Sequence, residues 1–320
     1  MIVAVTGGTG FIGRKLVARL VARGDTVRLL TRTPAASENS SLVEIHGCDL
    51  VTVGANRLAA MLDGVEVLYH CAGQLTDARA MRALHVDATR KLVAAASGRV
   101  ARWAQLSSVG VYGPVRDGVV TEESAPNPAE EYEITKTESD RIVIDGASHG
   151  GYSYAVLRPS NVFGAGMSNR SLFGMIAMID RGLFFYIGKP GASANYIHVD
   201  NVAEGLIRCA TMDAARNRIF NLSDHRSLEQ FAVAIAGALG RPAPRLRIPQ
   251  AVANLAAATL GRLPGFPLTL SRVAALTNRA SYPSLRLQRE LGYHDVITME
   301  DGLRELVKAY RQRSMQHELK

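Results

Sequence analysis

The chain has 320 residues, 47% hydrophobic and 21% charged, which reads as an ordinary soluble globular protein of one large or two modest domains. Its three cysteines, Cys48, Cys71 and Cys209, are odd in number and widely spaced, which excludes a disulfide framework and a zinc motif and fits a reducing cytoplasm. The net charge of +8 comes from scattered basic residues, so nucleic acid is not an expected partner, and no apolar run is long enough to span a bilayer.

The first expected strand, Ile2–Thr6, starts at once rather than after a basic-then-apolar leader, and a cytoplasmic location is expected. A helix over Phe11–Arg23 follows, with Gly24 as its stop, then a strand over Thr26–Thr31. The series continues with strands at Val43–Ile45, Val65–Cys71, Trp103–Ser107 and Tyr154–Arg158. Helical stretches near Asn56–Leu62, Thr76–Ser97 and Glu131–Ser148 lie between them. Strand–helix alternation of this kind needs crossover connections, so it predicts an α/β fold: a doubly wound parallel sheet covered on both faces.

After Pro159 the pattern loosens. Asn161–Gly191 is rich in Gly and aromatic residues and reads as a loop-bearing substrate region. Asp200 is the expected N-cap of a helix through Cys209, and Arg218–Leu222 a returning strand. Ser227–Leu239 reads as helix, broken by Gly240–Pro244. The rest, to about Arg311, reads as a small helical cap with Pro264 and Pro267 in its linker. Residues 1–160 are therefore the expected cofactor domain and 161–320 a smaller, mostly helical substrate region, with 196–223 returning to the first.

The turn after the first strand is Thr6-Gly7-Gly8-Thr9-Gly10-Phe11-Ile12-Gly13. Glycine at 7, 10 and 13 permits a tight turn, lets backbone N–H groups approach a pyrophosphate, and allows close helix–strand packing. The helix N-terminus then favours the negative charge. This is the phosphate-binding loop of a Rossmann sheet, so NAD or NADP is the expected cofactor. Folds that choose NAD usually end the second strand on a carboxylate, but this one ends Thr31-Arg32-Thr33. Arg32, with Arg14 close by, can meet a 2′-phosphate, which favours NADP.

Tyr132 and Lys136, four apart in a helical pattern, share a face. A phenol is a poor base at neutral pH, and a neighbouring ammonium is expected to lower its pKa. Tyr132 can then exchange a proton with the oxygen at a hydride-bearing carbon, and Ser108, at the end of a strand, can bond the same oxygen. The catalytic residues expected are thus Ser108, Tyr132 and Lys136, with Ser108 and Tyr132 also touching substrate.

In combination these features resemble the extended branch of the short-chain dehydrogenase/reductase superfamily, which holds nucleotide-sugar epimerases, dehydratases and ketoreductases. The matching strings are VTGGTGFIG at Val5–Gly13, Asp49-Leu50, His70-Cys71-Ala72-Gly73 and LSSVGVYG at Leu106–Gly113. Tyr132 with Lys136, LRPSNVFGAG at Leu157–Gly166 and YIHVDNVAEG at Tyr196–Gly205 complete them. The resemblance implies that Asp49 and Leu50 flank the adenine and that Cys71, Ala72 and Gly73 line the cofactor. It implies that Lys136 holds the ribose, that Pro159 borders the nicotinamide, and that His198 is structural. His70, ending a buried strand, reads as core. Homodimers through the Glu131–Ser148 helix are common in such families.

Three departures narrow the reaction. Ser108 is followed by Val109 and Gly110 rather than acidic residues, which disfavours dehydration. Ala194-Asn195 replaces the Arg-Asp pair whose Arg grips a sugar-linked diphosphate, leaving Arg170 and Lys189 as candidates for that grip. The family's usual Asn in the fourth helix is replaced near His85-Val86-Asp87. Asn161 falls where relatives contact the substrate diphosphate. The expected activity is hydride transfer at a sugar carbon, C4, of a nucleotide sugar, by a 4-ketoreductase or 4-epimerase. The enzyme alternative is a 3β-hydroxysteroid dehydrogenase-like or flavanone-alcohol reductase-like activity on an apolar alcohol or ketone, suited by the apolar cap at Val252–Leu260 and Phe266–Leu270. A non-catalytic NADPH-sensing regulator is disfavoured, because the Tyr/Lys pair is kept.

Overall fold

The computed structural model describes residues 1–34, 41–167, 170–261 and 268–318. Its first half runs β1 (Ile2–Thr6), α1 (Phe11–Ala22), β2 (Thr26–Thr31), β3 (Val43–Gly47), α2 (Ala55–Leu62), β4 (Val67–His70), α3 (Ala78–Met81), a π-helical turn (Arg82–Asp87), α4 (Ala88–Ala96) and β5 (Arg102–Leu106). It continues through β6 (Asp117–Val119), α5 (Glu131–Gly150), β7 (Ser153–Pro159) and β8 (Asn161–Phe163). The second half holds α6 (Arg170–Asp180), β9 (Tyr186–Ile187), β10 (Ser193–His198), α7 (Val199–Thr211), β11 (Arg218–Leu222), β12 (Asp224–Ser227) and α8 (Leu228–Leu239). It ends with β13 (Arg247–Ile248), α9 (Gln250–Leu260), α10 (Leu270–Thr277), β14 (Arg279–Ser281), α11 (Leu285–Leu291) and α12 (Met299–Glu318).

The main sheet has seven strands in the order β11-β7-β5-β4-β1-β2-β3. Every pairing in it is parallel. The reversal of strand order beside β1 opens the crevice where doubly wound folds take a dinucleotide. One face packs Leu16, Val17 and Leu20 of α1 with Leu206 of α7. The other packs Leu58 of α2, Leu92 of α4 and Val143 of α5 around Trp103. Leu16 is wholly buried, so truncation to Ala should cost about 2–5 kcal/mol. A separate core gathers Phe163, Ile176, Phe231 and Leu303 from β8, α6, α8 and α12. No described helix is long and apolar enough to cross a membrane.

The expected helical stretch near Thr76–Ser97 is helical from Ala78 to Ala96, with a six-residue π turn inside it that holds the buried His85. One local expectation is corrected. Asp200 is not the N-cap of α7. His198 is, its Nδ1 accepting the Asp200 N–H at 3.3 Å, while the Asp200 carboxylate pairs with Lys15 at 3.1 Å and Arg19 at 3.5 Å on α1. Pro264, Phe266 and Pro267 lie outside the described residues.

Candidate active site

Gly7 adopts φ +69°, and a Cβ there would lie 2.6 Å from the Ala72 backbone nitrogen. A Cβ on Gly13 would lie 2.1 Å from the Gly7 carbonyl oxygen. Only glycine fits either position, so the loop is drawn tight over the start of α1. That helix has no side-chain cap at Gly10 and no acid in its first turn, leaving its N–H groups and positive dipole end to the loop.

Beyond the loop opens a cavity of about 370 Å³ lined by Gly7, Gly10, Arg32, Asp49, Leu50 and the Cys71–Gly73 segment. Thr31, Gln74 and Leu84 also line it, and motif spacing did not flag them. Arg32 is exposed and has no ion pair among the described residues. The Asp49 carboxylate accepts the Val51 N–H at 2.9 Å. Anion-ready backbone, a polar rim and one free cation suit a phosphorylated dinucleotide. Other expected cofactor residues stand outside the cavity wall. Phe11 packs against the second core and Ile12 against the first, while Gly13 lies behind the loop and Pro159 ends β7.

Ser108 follows β5 and caps a short 3-10 turn, its Oγ accepting the Gly110 N–H at 3.0 Å. Helix α5 starts at Glu131 because Glu130 and Glu133 form a reciprocal capping box, which sets Tyr132 in the first turn. The Ser108 hydroxyl comes near enough to the Tyr132 phenol to lower its pKa, so helix and strand end bring these two together. Lys136, one turn on, is 4% exposed and donates from Nζ to the Leu106 carbonyl at 2.5 Å.

The electrostatics differ from expectation. Burial pushes the Tyr132 phenol above its ordinary value, the nearby Ser108 hydroxyl pulls it down and the Asp140 charge pushes it up. The net shift is upward, and the Lys136 ammonium is committed to the Leu106 carbonyl of β5. Burial holds Lys136 below the usual lysine range, opposed first by Asp140. Asp140, a further turn along α5 and 2% exposed, accepts from Ser107 Oγ at 2.7 Å and from Arg158 Nε at 3.3 Å. Its role was invisible in the sequence, although its i+4 spacing from Lys136 was a usable signal.

His70 is core, bonded between Thr6 Oγ1 at 2.6 Å and Thr89 Oγ1 at 3.1 Å. His198 is 2% exposed and packs edge-on against Phe163. In the substrate region, Asn161 is exposed at the rim of β8 and its Nδ2 donates to the Asn195 carbonyl at 3.1 Å. Asn195 in turn donates to the Ala280 carbonyl at 2.8 Å. A second cavity, also about 370 Å³, is lined by Ile187, Gly188, Lys189, Pro249, Gln250, Thr277 and Arg279. The Arg170 side chain lies outside the described residues.

Residues 3–223 match the model of the NAD dependent epimerase/dehydratase family. The chain belongs to that family. It is accordingly an NAD(P)-dependent enzyme on a Rossmann sheet, within the extended short-chain dehydrogenase/reductase superfamily. Among family relatives, the chain is 29% identical to a 4-hydroxy-2-methyl-3-oxo-4-farnesyl-3,4-dihydroquinoline-1-oxide ketoreductase of Stigmatella aurantiaca, over 95% of each chain. It is 25% identical to a UDP-glucose 4-epimerase of Mycolicibacterium smegmatis, over 97% of this chain and 98% of the other. The crystal structure of a UDP-glucuronic acid 4-epimerase from Bacillus cereus in complex with NAD shares the fold at a TM-score of 0.74 and 18% identity, over 98% and 99% of the two chains.

Proposed function

We propose that this enzyme transfers hydride at C4 of a nucleotide-linked sugar, as a 4-ketoreductase or 4-epimerase, with NADP as the favoured cofactor. The second cavity carries the reading. Lys189 and Arg279 stand in its wall, no acid does, and Glu229, which accepts the Gly191 N–H, is itself paired with Arg247 at 2.6 Å. Such a wall attracts an anion the size of a nucleoside diphosphate. Lys189 is one of the two residues expected to replace the missing Arg grip, and Arg279 holds its loop by donating to the Lys189, Pro190 and Gly191 carbonyls.

Bound nicotinamide supplies or accepts the hydride. Tyr132 gives a proton to the C4 oxygen in reduction, or removes it in oxidation, and Ser108 holds that oxygen by a hydrogen bond. Lys136 contributes a donor for the ribose. Asn161 borders the substrate.

A second reading, reduction of an apolar ketone, is favoured by one observation. The outer face of α9 carries Val252 and Leu255 at 55% and 68% exposure with no charged residue in the helix. The farnesylated substrate named for the Stigmatella relative fits the same idea.

Melting curves test the choice. A ligand of the folded state stabilises by mass action, about 2.7 kcal/mol at a hundredfold excess over its dissociation constant. With NADP⁺ saturating, UDP or another nucleoside diphosphate should raise the midpoint further, and Lys189→Ala should abolish that increment alone. No increment from any nucleoside diphosphate, with a rise from a long-chain ketone, would transfer the proposal to the apolar class.

A further inference from the structure

His85 is 1% exposed and sits inside the π turn, where an Asn was expected from the family pattern. A π turn is a rare interruption of an α-helix and recurs at functional sites. Here it aims one imidazole at the Gln74 segment and at α5. The Gln74 backbone N–H lies 2.9 Å from Nε2, Thr135 Oγ1 lies 2.9 Å from Nδ1, and the ring meets the Tyr132 ring edge-on at 5.8 Å and 79°. A backbone amide can only donate, so Nε2 accepts and the proton sits on Nδ1, which donates to Thr135. The Thr135 hydroxyl passes its own proton to the Glu131 carbonyl at 2.8 Å. Gln74 and the preceding Gly73 line the cofactor cavity, and a Cβ on Gly73 would stand 3.7 Å from Nε2.

We propose that His85 is a positioning residue that locks the phenol of Tyr132 and the Gly73–Gln74 wall of the cofactor cavity into one unit. This rests on the reading of Tyr132 as the proton donor. Both ring nitrogens are committed, so the imidazole has no lone pair or proton left for catalysis. Burial, aided by the charge of Lys136, lowers its pKa to about 3, which keeps it neutral and its tautomer constant through the working range. Its two jobs use different parts of the ring: the nitrogens hold the cavity wall and helix, and the ring body holds the phenol. The charged groups that bear on the phenol, Asp140 on α5 foremost, are untouched by a change at residue 85.

Two substitutions separate the jobs. His85→Phe keeps a ring beside Tyr132 and loses both nitrogens, while His85→Asn keeps hydrogen-bonding groups and loses the ring. The readouts are NADP⁺ affinity by calorimetry and the titration of a genetically encoded difluorotyrosine at position 132 by fluorine NMR. The fluorinated phenol titrates in a range where the fold survives. His85→Phe should weaken NADP⁺ by about tenfold, because the Gln74 N–H loses its acceptor, and leave the phenol midpoint in place. His85→Asn should hold the NADP⁺ dissociation constant within about twofold and lower the phenol midpoint by about one pH unit, as water reaches the ring. A merely structural role would move both readouts together in both variants, and that result, or no change in either, overturns the proposal. If the His85 variants fail to fold, Thr135→Val removes the Nδ1 partner, along with that hydroxyl's bonds to the Glu131 and Tyr132 carbonyls, and keeps the imidazole. It should weaken NADP⁺ with the phenol unmoved, and an unchanged affinity would count against the proposal. Neither readout uses a sugar, so failure of the nucleotide-sugar reading leaves this outcome intact. A Tyr132→Phe enzyme that still turns over would remove the proton-donor reading without touching the two titrations.

Discussion

Arg158 on β7 and Asp140 on α5 form an ion pair of 3.2 Å in which the side chains are only 4% and 2% exposed. The pair ties α5 to β7, the strand next to the sheet's edge. Arg158 also donates to the Tyr112 hydroxyl at 3.1 Å, and Tyr112 to Asn221 Oδ1 at 2.9 Å, so the tie extends to the edge strand β11. Removing one partner of a buried pair leaves the other charge uncompensated, at a cost of about 3–5 kcal/mol. Arg158→Met should therefore lower the urea-unfolding free energy by about that amount. The double variant Arg158→Met/Asp140→Leu should recover much of it. A double variant as unstable as the sum of the singles would show that the two charges are not coupled.

Stability should fall steeply in mild acid. Burial, joined by nearby Lys136, holds His70 and His85 at about 3. His198 is lowered too, burial outweighing the raising effect of Asp200. An unfolded chain protonates His70 and His85 below about pH 6.5, whereas the folded chain does not until about pH 3. Falling pH thus favours unfolding across that window. Each proton contributes about 1.4 kcal/mol per pH unit, so His70 and His85 together give a slope of about 2–3 kcal/mol per unit between about pH 6 and pH 4. Urea titrations at stepped pH measure this. His70→Gln should reduce the slope by one proton, and a flat profile would contradict the buried neutral histidines.

Gly13→Ala tests the loop. Its Cβ would meet the Gly7 carbonyl oxygen at 2.1 Å and Gly8 Cα at 2.6 Å, both backbone atoms with nowhere to go. Gly10→Ala would meet only the Gly7 oxygen at 3.1 Å. The first variant should lose its NADP⁺-induced rise in melting temperature, and the second should keep most of it. Equal behaviour would mean that the close approach of α1 is not what shapes the cradle.

Arg32 should set cofactor preference. It is exposed at the end of β2, on the wall of the cofactor cavity, with no carboxylate at that strand end. Arg32→Ala should weaken NADP⁺ by about tenfold, the value of an exposed charge-assisted contact, and leave NAD⁺ unchanged. Calorimetry with both cofactors decides it, and a parallel loss of both would assign Arg32 to the pyrophosphate or the loop instead.

Much of this protein is decided by short-range chain geometry and is readable from the residues alone. A glycine at every third position after a strand dictates the tight turn. The four-residue spacing of Tyr132 and Lys136 puts them on one helix face, and Ser108 falls at a strand end because the apolar run stops there. The alternation of strands and helices implies the parallel sheet, because parallel neighbours need crossovers.

The remainder depends on which distant atoms the packed sheet brings together. The sequence places Lys136 one turn from Tyr132, but only packing turns its Nζ to the Leu106 carbonyl and so leaves burial to dominate the phenol. Asp140 gains its role only when β7 sets Arg158 against it. His85 faces inward only because a π turn rotates it, and Lys189 and Arg279, ninety residues apart, meet at one cavity only once β9 and β14 are placed. Local spacing fixes direction along an element, whereas side-chain aim, burial and charge environment are properties of contacts between elements, and those exist only in the folded chain.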